Sequence, residues 1–305
     1  MEGLLLAITT PVFVVFILAE MIYSHYANRK LYTTGDTIIN LMCTSLNFIN
    51  DLVFRGITLA ILLFFNEYSF FHFETKGASY WILLFFAQDF AYYVLHYVDH
   101  YCRFFWATHV THHSSQKFNL TVAIRSSVFQ PFYRFLFYIP LAFIGFEALD
   151  IVFMYAVCQV YGFFVHTETV GKLGWLEYIF VTPSHHRVHH ASNPKYLDSN
   201  MGMVLIIWDR IFGTFVEEDE NEPVVYGLTK NLDEQTPVKV VFHEWAQLWK
   251  DVKNAPDLNS KFMYILGPPG WSHDGSKETS VQMKMAYQNK NTISLSQDIN
   301  SKSKL

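Results

Sequence analysis

The chain has 305 residues, of which 51% are hydrophobic, 18% aromatic and only 16% charged. A formal net charge of −5 excludes the basic footprint of a nucleic-acid binder. Three widely spaced cysteines, Cys43, Cys102 and Cys158, form no CxxC pair and exclude a disulfide framework, so they read as small core residues.

Several apolar runs reach the roughly 20 residues that a bilayer crossing takes. The first, residues 4–23, lacks the charged leader and small-residue cleavage site of a secretory signal and reads as a retained anchor. The second, residues 38–65, carries Asn47, Asn50, Asp51 and Arg55, so part of it must face protein or water. A third run covers residues 80–100. A fourth and a fifth, residues 128–145 and 148–166, flank the turn "GFEALD" and read as two crossings or as a hairpin dipping part-way into the membrane. Basic residues follow the first run in "HYANRK" and the third in "HYCR", and Arg125 and Arg134 flank the start of the fourth. The positive-inside rule then places residues 25–37, 101–127 and 167–305 in the cytosol and the N-terminus outside, with five crossings. Farther on, "MGMVLIIWDRIFGTF" reads as an interfacial amphipathic helix. Residues 216–274 read as a cytosolic segment, and the Ser-, Lys-, Asn- and Gln-rich residues 275–305 as a disordered polar tail.

Histidines punctuate this pattern in three boxes. "HYVDH" holds His96 and His100, "HVTHH" holds His109, His112 and His113, and "HRVHH" holds His186, His189 and His190. An isolated His166 ends the fifth run. Residues three and four apart share a helix face, so each box is expected to aim its imidazoles at one point. The topology brings all of them to the cytosolic face. One such spacing arises by chance and one buried histidine is usually a hydrogen-bonded core residue, but three boxes on one membrane face are not explained by packing. Imidazole suits iron, zinc, copper and nickel. Eight box ligands are too many for one tetrahedral zinc and fit two metal ions. His185, beside the third box, is a further ligand candidate or a supporting group. The expected fold is therefore all-α, a polytopic membrane helical bundle with a cytosolic histidine-rich di-metal cap, its membrane-embedded catalytic part spanning residues 1–215.

Three polar residues are candidates to support the ligands. Asp89 lies two turns before His96 on the same face; it accepts a proton from a ligand imidazole, or else pairs with Arg55 or Arg125. Asp198 and Asn200 follow the third box. Asp99, inside the first box, is expected to face the cytosol instead. Arg187 points off the ligand face and is packed or solvated, or meets a lipid phosphate.

Two histidine-bound metals at a membrane surface suit oxygen activation on a lipid, metal transport or sensing, or di-zinc hydrolysis. A transport path needs ionisable groups near the bilayer midplane, where these runs are aliphatic and aromatic. The order HxxxH, HxxHH, isolated His, HxxHH resembles the fatty acid hydroxylase and sterol desaturase superfamily of membrane di-iron enzymes. "THHSSQKFNLTVAIRSS", "TPSHHRVHH", "VLIIWDRIFGTF", "VVYGLT" and "GPPGW" are similar to its alkylglycerol monooxygenase branch, over roughly residues 80 to 271. The resemblance implies an O2-dependent lipid hydroxylase with two Fe ions, held by His96, His100, His109, His112, His113, His186, His189 and His190, with His166 as the family's isolated histidine. The branch further implies tetrahydrobiopterin as reductant and cleavage of the ether bond of alkylglycerols to a fatty aldehyde and a glycerol derivative. Relatives acting on sterols, carotenoids or fatty-acyl chains keep the same histidines. The partners implied are a membrane lipid, O2 and an electron donor, either a pterin or a redox protein, in the endoplasmic reticulum of a eukaryote or the inner membrane of a bacterium.

Overall fold

The computed structural model describes the backbone of residues 1–302 and side chains through residue 292. It is helical, and the described residues contain two isolated antiparallel bridges, Phe180–Leu205 and Ala191–Tyr226, but no strand. Two helices are long and apolar enough to cross a membrane, α1 (Glu2–Tyr26) and α2 (Thr34–Asn66). Both leave large apolar side chains exposed, among them Leu4, Ile8 and Phe16 on α1 and Phe48, Leu52 and Val53 on α2. Apolar exposure of this extent fits a hydrocarbon surrounding rather than water.

The polar side chains of α2 face protein, as expected. The amides of Asn47 and Asn50 donate to the carbonyls of Ser127 (2.8 Å) and Val128 (2.9 Å), and Asp51 pairs with Arg134. They hold residues 127–134 against α2. Arg55 pairs with Asp51 and Glu2, and the fully buried Arg125 pairs with Asp36 at 3.0 Å, so neither arginine meets Asp89.

A break at Cys102 separates α3 (Ala78–Tyr101) from α4 (Arg103–His113), and α5 (Leu120–Ala123) follows. The fourth apolar run is not one helix. It folds as two 3-10 turns, Gln130–Phe132 and Arg134–Phe137, and then α6 (Ile139–Ile144). Pro131 and Pro140 cause the breaks, since proline lacks the N–H a continuous helix needs. Gly145 ends α6 at φ +114°, where a Cβ would sit 2.1 Å from the Phe71 carbonyl. The fifth run is α7 (Ala148–Phe164), only 17 residues long. The main core lies between α2, α3, α6 and α7, with Leu62, Leu84, Leu95, Leu141 and Ile151 buried together.

The remaining elements are a 3-10 turn, Gly174–Tyr178, and α8 (Pro183–His189), α9 (Ile207–Phe212), α10 (Pro237–Asn254), α11 (Leu258–Leu266) and α12 (Ser280–Lys302). Smaller cores join α10 to α2 through Val240, Val241, Ile39 and Cys43, and α10 and α11 to α4 through Leu248, Tyr264 and Ala107. The stretch expected as an interfacial helix is mostly an inward-folded loop, helical only over the six residues of α9. Two buried carboxylates organise it. Asp89 accepts the N–H groups of Val204 (3.0 Å) and Leu205 (3.1 Å) and the indole of Trp208 (2.9 Å). Asp209 accepts Met201 N–H at 2.6 Å and Gly202 N–H at 2.9 Å. Asp89 therefore pins a loop and touches no imidazole, which corrects the sequence expectation.

The polar stretch from residue 275 is likewise not a structureless tail, since α12 runs through Lys302. Thr279 and Gln282 form a reciprocal cap, each side chain meeting the other's backbone N–H at 3.4 Å and 2.8 Å. Met, Lys, Gln and Ala in the first turns are good helix formers. Residues 303–305 lie outside the described residues.

Asp89→Ala leaves two buried N–H donors and the part-buried Trp208 indole without an acceptor, at about 1–3 kcal/mol for each buried donor. The thermal unfolding midpoint of the detergent-solubilised protein is expected to fall, and to fall less with Asp89→Asn, which keeps one acceptor oxygen.

Candidate metal centre

Nine of the predicted histidines converge, and they sort into two groups. His96, His100, His109, His113 and His189 form one; His112, His166, His186 and His190 form the other. Within each, one ring nitrogen per residue lies within 4.8 Å of the others. The boxes do not each serve one point. His109 and His113, four apart on α4, share a face, while His112 is turned to the second group. At the end of α8 the split repeats, with His186 and His190 in one group and His189 in the other. His185 belongs to neither: its Nδ1 accepts the Thr182 N–H at 3.3 Å and caps the start of α8.

The outer ring nitrogens decide the tautomers. A carbonyl can only accept, so a histidine bonded to one through Nδ1 carries its proton there and presents a bare Nε2. His96 donates from Nδ1 to Met201 (2.8 Å), His189 to Ser199 (2.9 Å), His112 to Arg125 (3.0 Å) and His166 to Gly162 (2.7 Å). His100 donates in the same way to the Asp198 carboxylate at 3.0 Å. His109 Nδ1 lies 3.2 Å from Ser127 Oγ and 3.6 Å from Asp99. Asp99 is fully buried, fixed by Tyr133 (2.7 Å) and Gln130 (2.9 Å), and does not face solvent. Its part in the site was not read from the sequence, because only folding brings Tyr133 and Gln130 beside it.

Inside the groups, the bare nitrogens face one another. His112 Nε2 is 3.2 Å from His166 Nε2, and His96 Nε2 is 3.0 Å from His109 Nε2. With Nδ1–H already given to Arg125 and Gly162, the first pair has no proton between its lone pairs. His100 Nε2 and His189 Nε2 are buried without a hydrogen-bond partner among the described residues, and His186 faces His166 (2.8 Å) and His190 (3.2 Å) through Nε2. Buried unpaired nitrogens and facing lone pairs are costly unless a cation lies between them. The residues thus fit a metal in each group. Burial, and after it the neighbouring imidazoles, holds His109, His113, His186, His189 and His190 well below the ordinary histidine value, and burial pushes His112 down to about 4. Neutral imidazole is the ligating form.

The supporting residues form a second layer. Asp198 and Asn200 both take left-handed backbone, at φ 45° and 56°, a conformation Asp and Asn tolerate. This turn aims the Asp198 carboxylate at His100 and the Ser199 carbonyl at His189. Asn200 donates to the carbonyls of His185 (3.0 Å) and Val216 (2.8 Å), so it holds the loop and not a ring. From α12, Lys284 reaches Ser199 Oγ at 3.1 Å. Arg187 packs against Glu218 at 2.7 Å and the Val170 carbonyl at 2.7 Å, the packed alternative of the two expected. Gly162, whose carbonyl fixes His166, is where a Cβ would meet Met203 Sδ at 2.4 Å, so α7 approaches the inward loop through a glycine.

All nine histidines lie within residues 81–214, and that stretch matches the family model described as fatty acid hydroxylase. The matched stretch begins inside α3 and ends just past α9. The chain is 39% identical to the human (Homo sapiens) alkylglycerol monooxygenase over 265 residues, 86% of this chain and 59% of that protein. The Xenopus tropicalis alkylglycerol monooxygenase is 37% identical over 86% of this chain and 58% of its own length. A Rhizobium tropici ornithine lipid hydroxylase is 28% identical over 46% of this chain and 43% of its own. The chain thus spans a little under three-fifths of these two alkylglycerol monooxygenases. No solved structure matches it.

In the metal-free protein the depressed histidines stay neutral when folded and protonate when unfolded below about 6.5, the ordinary value. The unfolded state then binds more protons, so stability is full above about pH 6.5 and is lost as pH falls toward 4. A chelator-treated sample is expected to show a falling unfolding midpoint across that window. A flat midpoint would contradict the burial of these rings.

Proposed function

We propose that this chain is a membrane di-iron monooxygenase that hydroxylates a lipid with O2 and cleaves the ether bond of alkylglycerols. The observation that carries this reading is the pair of buried histidine groups with their bare nitrogens turned inward. The alkylglycerol monooxygenase relatives supply the ether substrate. His96, His100, His109, His113 and His189 would hold one iron, and His112, His166, His186 and His190 the other.

Bound iron supplies the reductive activation of O2. The protein's own residues do the rest. Carbonyls and the Asp198 carboxylate lock His96, His100, His112, His166 and His189 in the ligating tautomer and orientation. Burial of eight of the nine rings excludes bulk water from the site. Hydroxylation of the carbon beside the ether oxygen consumes O2, two electrons and two protons, and yields water and a hemiacetal. The hemiacetal then divides into a fatty aldehyde and a glycerol derivative. Tetrahydrobiopterin is the proposed two-electron donor.

The same reading sets topology and extent. The catalytic unit is residues 1–215, with 216–274 as a cytosolic segment applied to it through α10 and α11. The bundle is polytopic, and its histidine face, where Arg29, Lys30, Arg103 and Lys117 lie, is cytosolic. Similarity to the ornithine lipid hydroxylase supports a second reading, in which a different membrane lipid is hydroxylated without ether cleavage.

Iron-loaded protein given a 1-O-alkylglycerol, tetrahydrobiopterin and O2 is expected to release fatty aldehyde only when all three are present. Protein confirmed to hold iron that makes no aldehyde would overturn the ether reading and leave lipid hydroxylation to be tested. His186→Ala and His189→Ala fall in different groups, so each is expected to abolish turnover and to lose one of the two metals, measured by elemental analysis. Full activity in both variants would refute the ligand assignment.

A further inference from the structure

Glu20 and Ser24 are the buried residues of α1, an otherwise exposed apolar helix. An acid in such a helix is expensive and marks a functional position by default. One Glu20 oxygen accepts the Leu120 N–H at 2.8 Å and the Tyr32 hydroxyl; the other accepts the Thr167 hydroxyl. Thr167 Oγ1 lies 2.8 Å from Thr169 Oγ1. These three side chains line a cavity of about 620 Å³ between α1, α7 and the start of α8. Most of the remaining wall is apolar, including Phe16, Ala19, Phe164 and Val165.

The cavity runs past the chain segment that carries His166, whose own ring is not among its lining residues. Val165 and Thr167 both line it, and His166 between them belongs to the four-histidine group. Pro183, also on the wall, is the first residue of α8, the helix that carries His186. Apolar Val165 and polar Thr167, the two chain neighbours of His166, thus meet on the cavity wall.

We propose that this cavity binds the substrate as a single-chain lipid with an uncharged, hydroxyl-bearing head. The inference rests on the lipid monooxygenase reading above. The head sits on Glu20, Thr167 and Thr169, and the chain runs along α1 and α7. The volume falls in the range of sites that enclose one small ligand. The Glu20 carboxylate repels a phosphorylated head and accepts a hydroxyl, so charge selects the neutral lipid. The carbon joining head to chain, the one an ether-cleaving oxygenase hydroxylates, then lies where Val165 and Thr167 meet on the wall.

The test is photolabelling of the full chain in detergent with a 1-O-alkylglycerol carrying a diazirine in its chain. Adducts mapped by mass spectrometry are expected on α1 and α7 around Phe16 and Phe164. Unlabelled 1-O-alkylglycerol should abolish them, and the same lipid phosphorylated on its glycerol should not. Ala19→Trp, which fills the cavity, is expected to remove the adducts. Glu20→Gln, which keeps an acceptor for Leu120, is expected to let the phosphorylated lipid compete. Adducts confined to the outward face of α2, adducts that do not respond to competitor, or no adducts at all would overturn the assignment. Labelling needs no turnover, so the two claims separate: adducts here without aldehyde formation would sink the ether reading alone, and aldehyde formation with adducts elsewhere would sink the cavity alone.

Discussion

Two imidazole nitrogens, each with its proton committed elsewhere, stand 3.2 Å apart in His112 and His166. Lone pairs at that distance repel, and burial makes a proton a poor remedy because it would leave a charge in a dry site. A metal cation relieves the repulsion. The surrounding fold fixes this arrangement from outside. Backbone carbonyls of Arg125, Gly162, Ser199 and Met201 each hold an outer nitrogen, and they come from three separate stretches of chain. The rings are aimed by backbone, so the geometry survives only while the loops keep their shape.

That dependence explains where the buried charge is spent. Asp89 and Asp209 bind no ring, yet between them they gather five backbone or indole donors of the loop that presents Met201. Arg125 is fully buried and tied to Asp36 at the start of α2, while its carbonyl holds His112. The left-handed turn at Asp198 and Asn200 is held in turn by Lys284 of α12. The C-terminal helix thus takes part in positioning two histidines of the five-membered group.

Much of this was legible in the sequence. The three boxes and His166 supply all nine converging rings, because a chain has few other reasons to gather imidazoles at the ends of apolar runs. How the rings are shared was not legible. "HVTHH" and "HRVHH" each serve both groups, and that division follows from where each helix sits between two points. The partners of the outer nitrogens are mostly carbonyls, which every residue has and no pattern advertises. Asp89 was misread for the same reason, since its partners are N–H groups more than a hundred residues away. Two local signals in the sequence mark other differences: Pro131 and Pro140 divide the fourth apolar run, and Thr279 with Gln282 spells a helix cap ahead of α12.

Metal K-edge X-ray absorption on the purified, iron-loaded protein reads the histidine ligation itself. Two irons per chain are expected, each surrounded mainly by imidazole nitrogen, with the multiple-scattering signature of four or five rings per metal. A single iron per chain, or a shell dominated by carboxylate oxygen or sulfur, would contradict that ligation.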